Sequence, residues 1–302
     1  MNELRIGTDC SGIEAPIQAL LQLNIPFHHV FSSEIDKYAI KTCKANYSEP
    51  DIRYNNLITR DHKLLPDIDL YVCGFPCQSF STMGKKQGLL DIRGTIMFHC
   101  IEVIKIKQPK FFILENVRGF MSNNNGDTMK LLLSELEGVN YTVHYKLLNT
   151  KDFGLPQNRP RIYFVGIRND LDILFEFPTE PMERLTIDDI LLDHNYCLTQ
   201  APSKNNRTNL LRSSKGKILP SDNWISTDTG FGNAMNGLCP TLTKNSKFFL
   251  QKYNRKIVPL ECLLLQGFPK DFIMPVSNTQ LHSQTGNTMS VPILKYIISK
   301  FV

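Results

Sequence analysis

The chain has 302 residues, of which 42% are hydrophobic and 21% charged, and these values are typical of a soluble globular protein with a large core. No apolar run approaches the roughly 20 residues that cross a bilayer, which excludes a membrane span. The net charge of +5 suits an anionic partner without requiring one.

The chain start and the cysteine content indicate the compartment. The opening residues, MNELRIGTDC, contain no basic region followed by an apolar core, so we expect no secretory signal. Eight cysteines in such a chain are typical of reduced thiols, which predicts a cytoplasmic protein, in the host cell if the source is viral. Cys73 and Cys77 have no second Cys or His pair at zinc-like spacing, so we predict no metal.

The first 170 residues alternate between strand-like and helix-like patterns. Strands alternating with crossover helices predict an α/β fold, with a Rossmann-like, mostly parallel sheet and helices on both faces. Strands are predicted at residues 4–8, 29–33, 68–73, 110–114, 141–148 and 161–167, and helices at residues 14–23, 36–46, 95–107 and 128–136.

Beyond Pro178 this alternation stops. Residues 200–256 are rich in Ser, Thr, Asn, Gly and Lys and show no periodicity, which predicts a second, smaller, loop-rich domain. Helical patterns return at residues 259–265 and 291–301. We therefore predict a large domain at residues 1–177, a small domain with its hinge at 178–272, and a segment at 273–302 that returns to the large domain.

Polar residues follow four of the predicted strands. The first strand is followed by a turn of small residues, the second by Glu34, the third by Pro76 and Cys77, and the fourth by Glu115 and Asn116. Ligands of open α/β sheets bind at the carboxyl ends of the strands, so this edge predicts a binding site.

Each feature also has a simpler explanation. A glycine after a first strand often serves only a turn, an acid after a second strand often caps a helix, and a loop cysteine is more often inert than nucleophilic. Glu115 is harder to dismiss, because a carboxylate behind four apolar residues must be paired or protonated.

The first turn lacks the complete G-x-G-x-x-G pattern of dinucleotide-binding proteins. Gly12 is followed by Glu14 and Pro16, and a pyrophosphate needs open backbone N–H groups with no carboxylate beside them. A nucleoside without phosphates, such as S-adenosyl-L-methionine, fits this turn better.

Eight segments in order resemble the motifs of the cytosine-C5 DNA methyltransferase family, in its prokaryotic or viral single-chain type. The resemblance extends over nearly the whole chain, and its number of motifs makes coincidence very improbable. The segments are DCSGIEA at 9–15, SSEIDKYA at 32–39, GFPCQSFS at 74–81, GKKQGLLDIRGT at 84–95, ENV at 115–117, FGLPQNRPRIYFVGIR at 153–168, VPLECLLLQGFP at 258–269 and HSQTGNTMSVPIL at 282–294.

The resemblance implies a class I methyltransferase fold and a DNA (cytosine-5-)-methyltransferase activity. Cys77 would be the thiolate that adds to C6 of cytosine, and Glu115 the acid at N3. Arg159 and Arg161 would hold the base, and their alternate spacing before a strand would place both on one face. Pro76 would shape the turn and present its carbonyl.

The resemblance further implies S-adenosyl-L-methionine as the methyl donor and S-adenosyl-L-homocysteine as the product. The family's third motif usually carries an acid for the adenine amino group, whereas this chain has Asn56, which keeps an acceptor but loses the charge. The implied cofactor-binding residues are Cys10, Ser11, Gly12, Ile13, Glu34, Ile35, Asn56, Leu57, Pro76, Ile96, Asn287 and Thr288.

The implied partner is double-stranded DNA, from which the target base must be flipped out. Residues 81–94 are either a mobile lid over the base or an ordinary surface loop, and the small domain would recognise the target sequence. We expect a monomer. Substrate contacts are expected from Pro76, Gln78, Asn116, Gln157 and Thr241.

Two alternatives remain open from the sequence. Enzymes of the same chemistry that act on tRNA share this scaffold, but they commonly have Pro-Pro-Cys where this chain has Phe75 before Pro76, which favours DNA. A non-catalytic DNA-binding relative would not need Cys77, Glu115 and the two arginines.

Overall fold

The computed structural model describes residues 3–76, 96–192, 224–227, 234–244, 248–250, 253 and 255–301, with backbone alone at 224–227, 234 and 236. Cys77, Gln78 and the segment 81–94 lie outside the described residues. The chain divides into two compact units. The first unit comprises Met1–Leu148, Pro160–Pro178 and Ile293–Val302, and the second Asn149–Arg159 and Thr179–Pro292. The domain bounds that the sequence predicts stay a prediction.

The first unit contains the predicted alternation of strands and helices. Asp36 caps one helix, because its side chain accepts a hydrogen bond from the backbone N–H of Tyr38 at 2.8 Å. The elements in chain order are β1 (Leu4–Asp9), α1 (Ala15–Leu23), β2 (Phe27–Ser33), α2 (Lys37–Asn46), β3 (Ile52–Tyr54), β4 (Leu70–Cys73), α3 (Ile96–Lys107), β5 (Phe111–Val117), α4 (Asp127–Glu137), β6 (Tyr141–Asn149) and β7 (Pro160–Arg168).

These strands form a seven-stranded sheet in the order β3-β2-β1-β4-β5-β7-β6. The pairs from β3 to β5 are parallel, and β7 runs antiparallel to β5. The predicted mostly parallel sheet is therefore confirmed. On one side of the β1–β4 pair the chain continues outward to β2 and β3, and on the other side to β5. Open α/β sheets bind their ligands at such a switch point in strand order.

The strand register places the carboxyl ends of the parallel strands in one row. Asp9 pairs with Ser33 on one side and Cys73 on the other, and Cys73 pairs with Leu114. The sequence predicts that β5 ends at Leu114, but β5 continues to Val117 because β7 keeps pairing with it. Glu115 therefore lies inside a strand.

Two glycines let aromatic rings lie flat on the sheet of the first unit. A Cβ at Gly7 would lie 2.3 Å from the Phe31 ring, and a Cβ at Gly166 would lie 1.9 Å from the Phe112 ring. Any larger residue at either position would displace a buried ring, so both glycines are required by packing. Phe301 also belongs to this unit and stacks on Phe111, with ring centroids 4.2 Å apart.

The described residues of the second unit contain a small sheet and further helical segments. Its sheet has the strand order β11-β10-β8-β9, with antiparallel pairing throughout. The elements are α5 (Ile187–Ile190), β8 (Trp224–Thr227), β9 (Ala234–Asn236), β10 (Phe248–Leu250), β11 (Arg255–Lys256), α6 (Pro259–Gln266) and α7 (Asn278–Asn287), and α8 (Val291–Ile298) crosses from this unit into the first.

Helix α7 was not predicted from the sequence. Its residues, NTQLHSQTGN, are mostly polar, so they carry little helical periodicity. Ser277 caps the helix through a hydrogen bond to Gln280 N. Over the part of the chain that the structure describes, we find no helix with the length and apolar character that crossing a membrane requires.

Candidate active site

The turn after β1 has a backbone that is suited to a nucleoside. Cys10 and Gly12 both have left-handed φ angles, of 49° and 56°. A Cβ at Gly12 would meet no atom within 4 Å, so the turn borders open space. Ile13, the next residue, is fully buried beneath it. A ligand can therefore approach the backbone of this turn closely.

Two polar side chains of this turn point away from the ligand side. The Glu14 carboxylate accepts hydrogen bonds from the hydroxyls of Thr8 at 3.0 Å and Ser32 at 2.6 Å, and Glu14 is buried. The hydroxyl of Ser11 also contacts Ser32 Oγ, at 3.1 Å. Glu14, the acid that argues against pyrophosphate binding in the sequence, is thus a buried residue whose hydrogen bonds stabilise the turn.

The carboxylate of Glu34 lies against the same turn. One carboxylate oxygen accepts from Gly12 N at 2.7 Å and the other from Asp36 N at 2.8 Å. Burial raises the pKa of Glu34. The neighbouring Ile35 is 81% exposed, so an acid and an apolar surface lie side by side next to the turn.

Below the turn lies a buried ion pair that the sequence analysis missed. Asp9 has no exposed surface, and it accepts hydrogen bonds from both terminal nitrogens of Arg60, one of them at 2.7 Å. Tyr71 Oη donates to Asp9 at 2.7 Å, and Arg60 also donates to Ser33 Oγ at 2.5 Å. The sequence feature that could have indicated this pair is Asp9, an acid at the end of β1 directly before the small residues of the turn.

Asn56 lies on the same segment of chain as Arg60. Asn56 is exposed, and its side-chain oxygen accepts from Ile58 N at 2.9 Å. Leu57 is buried beside it. The Asp9–Arg60 pair therefore fixes the segment that carries Asn56 to the end of β1.

The described part of the nucleophile loop ends at Pro76. The Phe75 ring is buried against Phe120, with centroids 5.5 Å apart, and the Phe75 carbonyl accepts from Asn116 Nδ2 at 3.0 Å. Cys73 lies in β4 without exposed surface, and burial raises the pKa of its thiol, which is typical of an inert cysteine. Asn116 therefore holds the backbone immediately before Pro76.

Glu115 and Arg161 form an ion pair across two strands. Arg161 Nε lies 3.2 Å from Glu115 Oε1, and the side chains are 12% and 11% exposed. Arg161 pairs with Val117 in the sheet, two residues beyond Glu115, so both side chains stand on one face. An acid and a cation thus meet next to the strand ends.

Arg159, the other arginine of this motif, binds backbone carbonyls, and its predicted place on the face of Arg161 stays a prediction. Strand β7 begins at Pro160, and Arg159 belongs to the second unit, where it is 2% exposed. Its guanidinium donates to the carbonyls of Leu242 at 2.5 Å, Gly286 at 3.1 Å and Thr288 at 2.8 Å. These contacts connect three segments of the second unit.

Other predicted residues also make contacts within the second unit. Gln157 is fully buried and donates to the Leu265 carbonyl at 2.7 Å, and Thr241 Oγ donates to the Asn158 carbonyl at 2.6 Å. Asn287 is exposed at the end of α7, and Thr288 is buried. Ile96, in the first unit, begins α3 and packs on the core. Their predicted contacts with cofactor and DNA stay predictions.

The open sheet, with an acid and a small-residue turn at its switch point, defines an α/β protein of the class that binds nucleoside cofactors. The model of the C-5 cytosine-specific DNA methylase family matches residues 9–302. The chain therefore belongs to this family. It is a DNA cytosine-C5 methyltransferase, which confirms the predicted family and enzyme class, and neither alternative is favoured.

Relatives support this assignment. The Type II methyltransferase M1.ScrFI of Lactococcus lactis subsp. cremoris is 39% identical over 284 residues, which cover 90% of this chain and 72% of that protein. The Type II methyltransferase M.SsoII of Shigella sonnei is 39% identical over 295 residues, covering 90% and 73%. A putative DNA modification methyltransferase from an Escherichia coli prophage matches the fold with a TM-score of 0.75 at 22% identity, covering 99% of this chain and 98% of that one.

Proposed function

We propose that this chain methylates C5 of a flipped-out cytosine in double-stranded DNA through a covalent bond between Cys77 and C6. The family and the fold imply S-adenosyl-L-methionine as the methyl donor. The observation that carries the proposal is the pairing of Glu115 with Arg161 beside the strand that leads to Pro76 and Cys77. The described strands thus offer an acid and a cation, and Cys77 follows β4 in the sequence, so the chain contains the groups this addition requires.

The residues around the first turn fit the cofactor. Gly12 borders open space, Glu34 presents carboxylate oxygens for the ribose hydroxyls, and Ile35 presents an exposed apolar surface for the adenine. When bound, S-adenosyl-L-methionine supplies an electrophilic methyl group on a sulfonium. We propose that Cys10, Ser11, Gly12, Ile13, Glu34, Ile35, Asn56, Leu57, Pro76 and Ile96 hold it.

The covalent step follows from the chemistry of the base. The Cys77 thiolate forms a bond to C6, and the electron pair of the C5–C6 double bond moves toward N3, where a proton must be provided. Carbon 5 then becomes nucleophilic enough to take the methyl group. As the methyl group bonds to C5, the proton at N3 returns to Glu115. A base afterwards removes the C5 proton, and the electron pair of that C–H bond restores the C5–C6 double bond while the bond between Cys77 and C6 breaks and releases the thiolate.

Glu115 is the proposed donor of the N3 proton. Glu115 lies in an ion pair with Arg161, and a neighbouring arginine favours the ionised form of a carboxylate. We infer that Glu115 gains its proton only when the base separates it from Arg161, whose charge then faces the base. Protonation of the acid is thereby coupled to base binding.

We propose other roles for three of the residues that were expected to contact the substrate. Asn116 donates to the Phe75 carbonyl, which supports a role in positioning the nucleophile loop. Gln157 and Thr241 make hydrogen bonds inside the second unit, which supports a structural role for both. Pro76 and Gln78 remain proposed contacts of the base. We propose that the protein acts as a monomer.

The proposal is tested by methyl transfer from labelled S-adenosyl-L-methionine to unmethylated duplex DNA and, in parallel, to tRNA. We expect labelled DNA, unlabelled tRNA, and no labelling by the Cys77→Ser variant. The Cys73→Ala variant is the matched control, since it removes the other thiol of the same stretch and should stay active. Bisulfite sequencing of the product identifies the target sequence.

A duplex with 5-fluorocytosine at that target tests the covalent step directly. Release of the enzyme requires loss of the C5 proton, and the fluorine that replaces this proton cannot be removed. The wild-type protein should therefore remain covalently attached to the DNA. Labelling of tRNA alone would favour the RNA alternative, and an active Cys77→Ser protein would exclude the mechanism.

A further inference from the structure

Two histidines and a glutamate form a cluster that methyl transfer does not use. His62 lies in a single helical turn, His62–Leu64, and His99 and Glu102 lie three residues apart on α3, which places them on one face of that helix. Their ligand atoms all lie within 4.8 Å of one another. The side chains are 3%, 23% and 54% exposed, so the cluster extends from the interior to solvent.

The distances within the cluster approach those of a metal site. His62 Nε2 lies 2.9 Å from His99 Nδ1, and Glu102 Oε2 lies 3.7 Å from the first nitrogen and 3.8 Å from the second. The nearest point equidistant from these three atoms lies in their plane, about 2.0 Å from each, so zinc–ligand bonds of about 2.0 Å in a tetrahedral arrangement require the two nitrogens to move apart. A hydrogen bond joins the two nitrogens, and the carboxylate lies within ion-pair distance of both histidines, so all three groups already face one another.

We propose that His62, His99 and Glu102 bind a divalent transition-metal ion of the zinc class. Two imidazoles and one carboxylate suit zinc and its neighbours, whereas calcium and magnesium prefer sites made of oxygen alone. The exposed side of Glu102 leaves room for water at the remaining coordination positions. The sequence prediction of no metal considered only cysteine spacing and did not group these residues.

Arg60 opposes the metal and weakens the site. Arg60 Nε donates to His62 Nδ1 at 3.2 Å, so the proton of a neutral His62 sits on Nε2 and points to His99. A metal on Nε2 requires that proton on Nδ1 instead, where it would face the Arg60 donor. Metal binding therefore breaks the bond between Arg60 and His62. The charge of Arg60 remains balanced by Asp9.

The test uses the full chain after removal of metals by a chelator. Zn²⁺ is titrated in competition with a chromophoric chelator, and we expect one ion per chain at this site, with binding at least tenfold weaker in His99→Ala and in Glu102→Gln. His28→Ala is the matched control, because His28 contacts a single carboxylate, Asp51. Its zinc affinity should equal that of the wild type.

Two further measurements separate this site from the cysteines. Bound Co²⁺ should give visible absorption without the near-ultraviolet band of a thiolate ligand, and Arg60→Met should bind Zn²⁺ more tightly than the wild type. Equal affinity in the wild type and in His99→Ala, or a thiolate band in the Co²⁺ complex, would overturn the proposal. Unchanged affinity in Arg60→Met would overturn the role of Arg60. None of these measurements depends on methyl transfer.

Discussion

Glu115 and Arg161 stand on the same face of two antiparallel strands, with Arg161 Nε 3.2 Å from Glu115 Oε1. The antiparallel pairing with β7 extends β5 beyond the end of β4 and thereby holds Glu115 in a strand. The acid thus has a fixed position in the strand next to β4, which leads to Pro76 and the proposed nucleophile. A fixed acid is favourable for catalysis, because no further ordering is needed when the base arrives.

The first prediction concerns this pair. Glu115→Gln and Arg161→Met should each lower the rate of methyl transfer by about 10²-fold to 10⁴-fold, since each removes a group that stabilises charge at N3. The measurement is single-turnover transfer from labelled cofactor to duplex DNA. Glu135→Gln, which removes half of an exposed pair with Lys105, should leave the rate unchanged. A Glu115→Gln protein with the wild-type rate would show that N3 is protonated by another group.

A second prediction separates Arg159 from Arg161. Arg159→Met leaves three carbonyl oxygens without a donor, so we expect a loss on the order of 3 kcal/mol in the free energy of unfolding. Urea denaturation measures this loss. The folded Arg159→Met protein should still form the adduct with 5-fluorocytosine, whereas Arg161→Met should not. An Arg159→Met variant that is stable but inactive would instead place Arg159 on the base.

A third prediction tests the role of Asn116 in positioning the loop. Asn116→Asp replaces the donor with an acceptor, which repels the Phe75 carbonyl now 3.0 Å away. The rate of adduct formation should fall by at least about tenfold, an effect of misplacing the thiol, while cofactor affinity stays the same. Asn140→Asp, at an exposed turn with a φ of 66°, serves as the control. A parallel loss of cofactor affinity would show a general structural defect.

A fourth prediction follows from the raised pKa of Glu34. Burial disfavours the carboxylate, so the folded protein binds this proton more tightly than the unfolded chain does. Glu34 therefore costs stability at neutral pH, and this cost fades as the pH falls through the raised pKa. Affinity for the cofactor, in contrast, should decrease as the pH falls, because a protonated carboxyl is a poorer acceptor for ribose hydroxyls.

Calorimetric titration with S-adenosyl-L-methionine at several pH values measures this effect. Affinity should decrease with falling pH, beginning above the pH at which an ordinary glutamate is protonated. Glu34→Gln should bind weakly at every pH and lose this dependence. Glu137→Gln, an exposed change on α4, should retain the wild-type profile. The same pH dependence in Glu34→Gln would assign it to another group.

Most of the first unit could be predicted from the sequence, because its strands are apolar runs that end in conspicuous polar residues. The run from Phe111 to Leu114 identified β5, and the acid after Leu114 marked the site. The end of β5 could not be predicted, because it depends on pairing with β7, which lies far along the chain. Local patterns contain no information about such a partner.

The role of Arg159 shows the same limit. Its spacing from Arg161 indicated a role on the base, whereas its carbonyl partners, Leu242, Gly286 and Thr288, are distant in sequence and could not be inferred from local spacing. The Asp9–Arg60 pair was missed for the same reason. An arginine outside any recognised motif shows its function only when its partner is known.

The stacking of Phe301 on Phe111 has a consequence for how the protein is made. Phe301 belongs to the first unit, although residues Thr179–Pro292 of the second unit are translated between it and the preceding part of the first unit, which ends at Pro178. A ribosome must therefore complete the second unit before the sheet can receive its last aromatic layer. Because this part of the first unit's core is finished so late in synthesis, a partly translated chain leaves the ring of Phe111 without the aromatic partner it has in the complete protein.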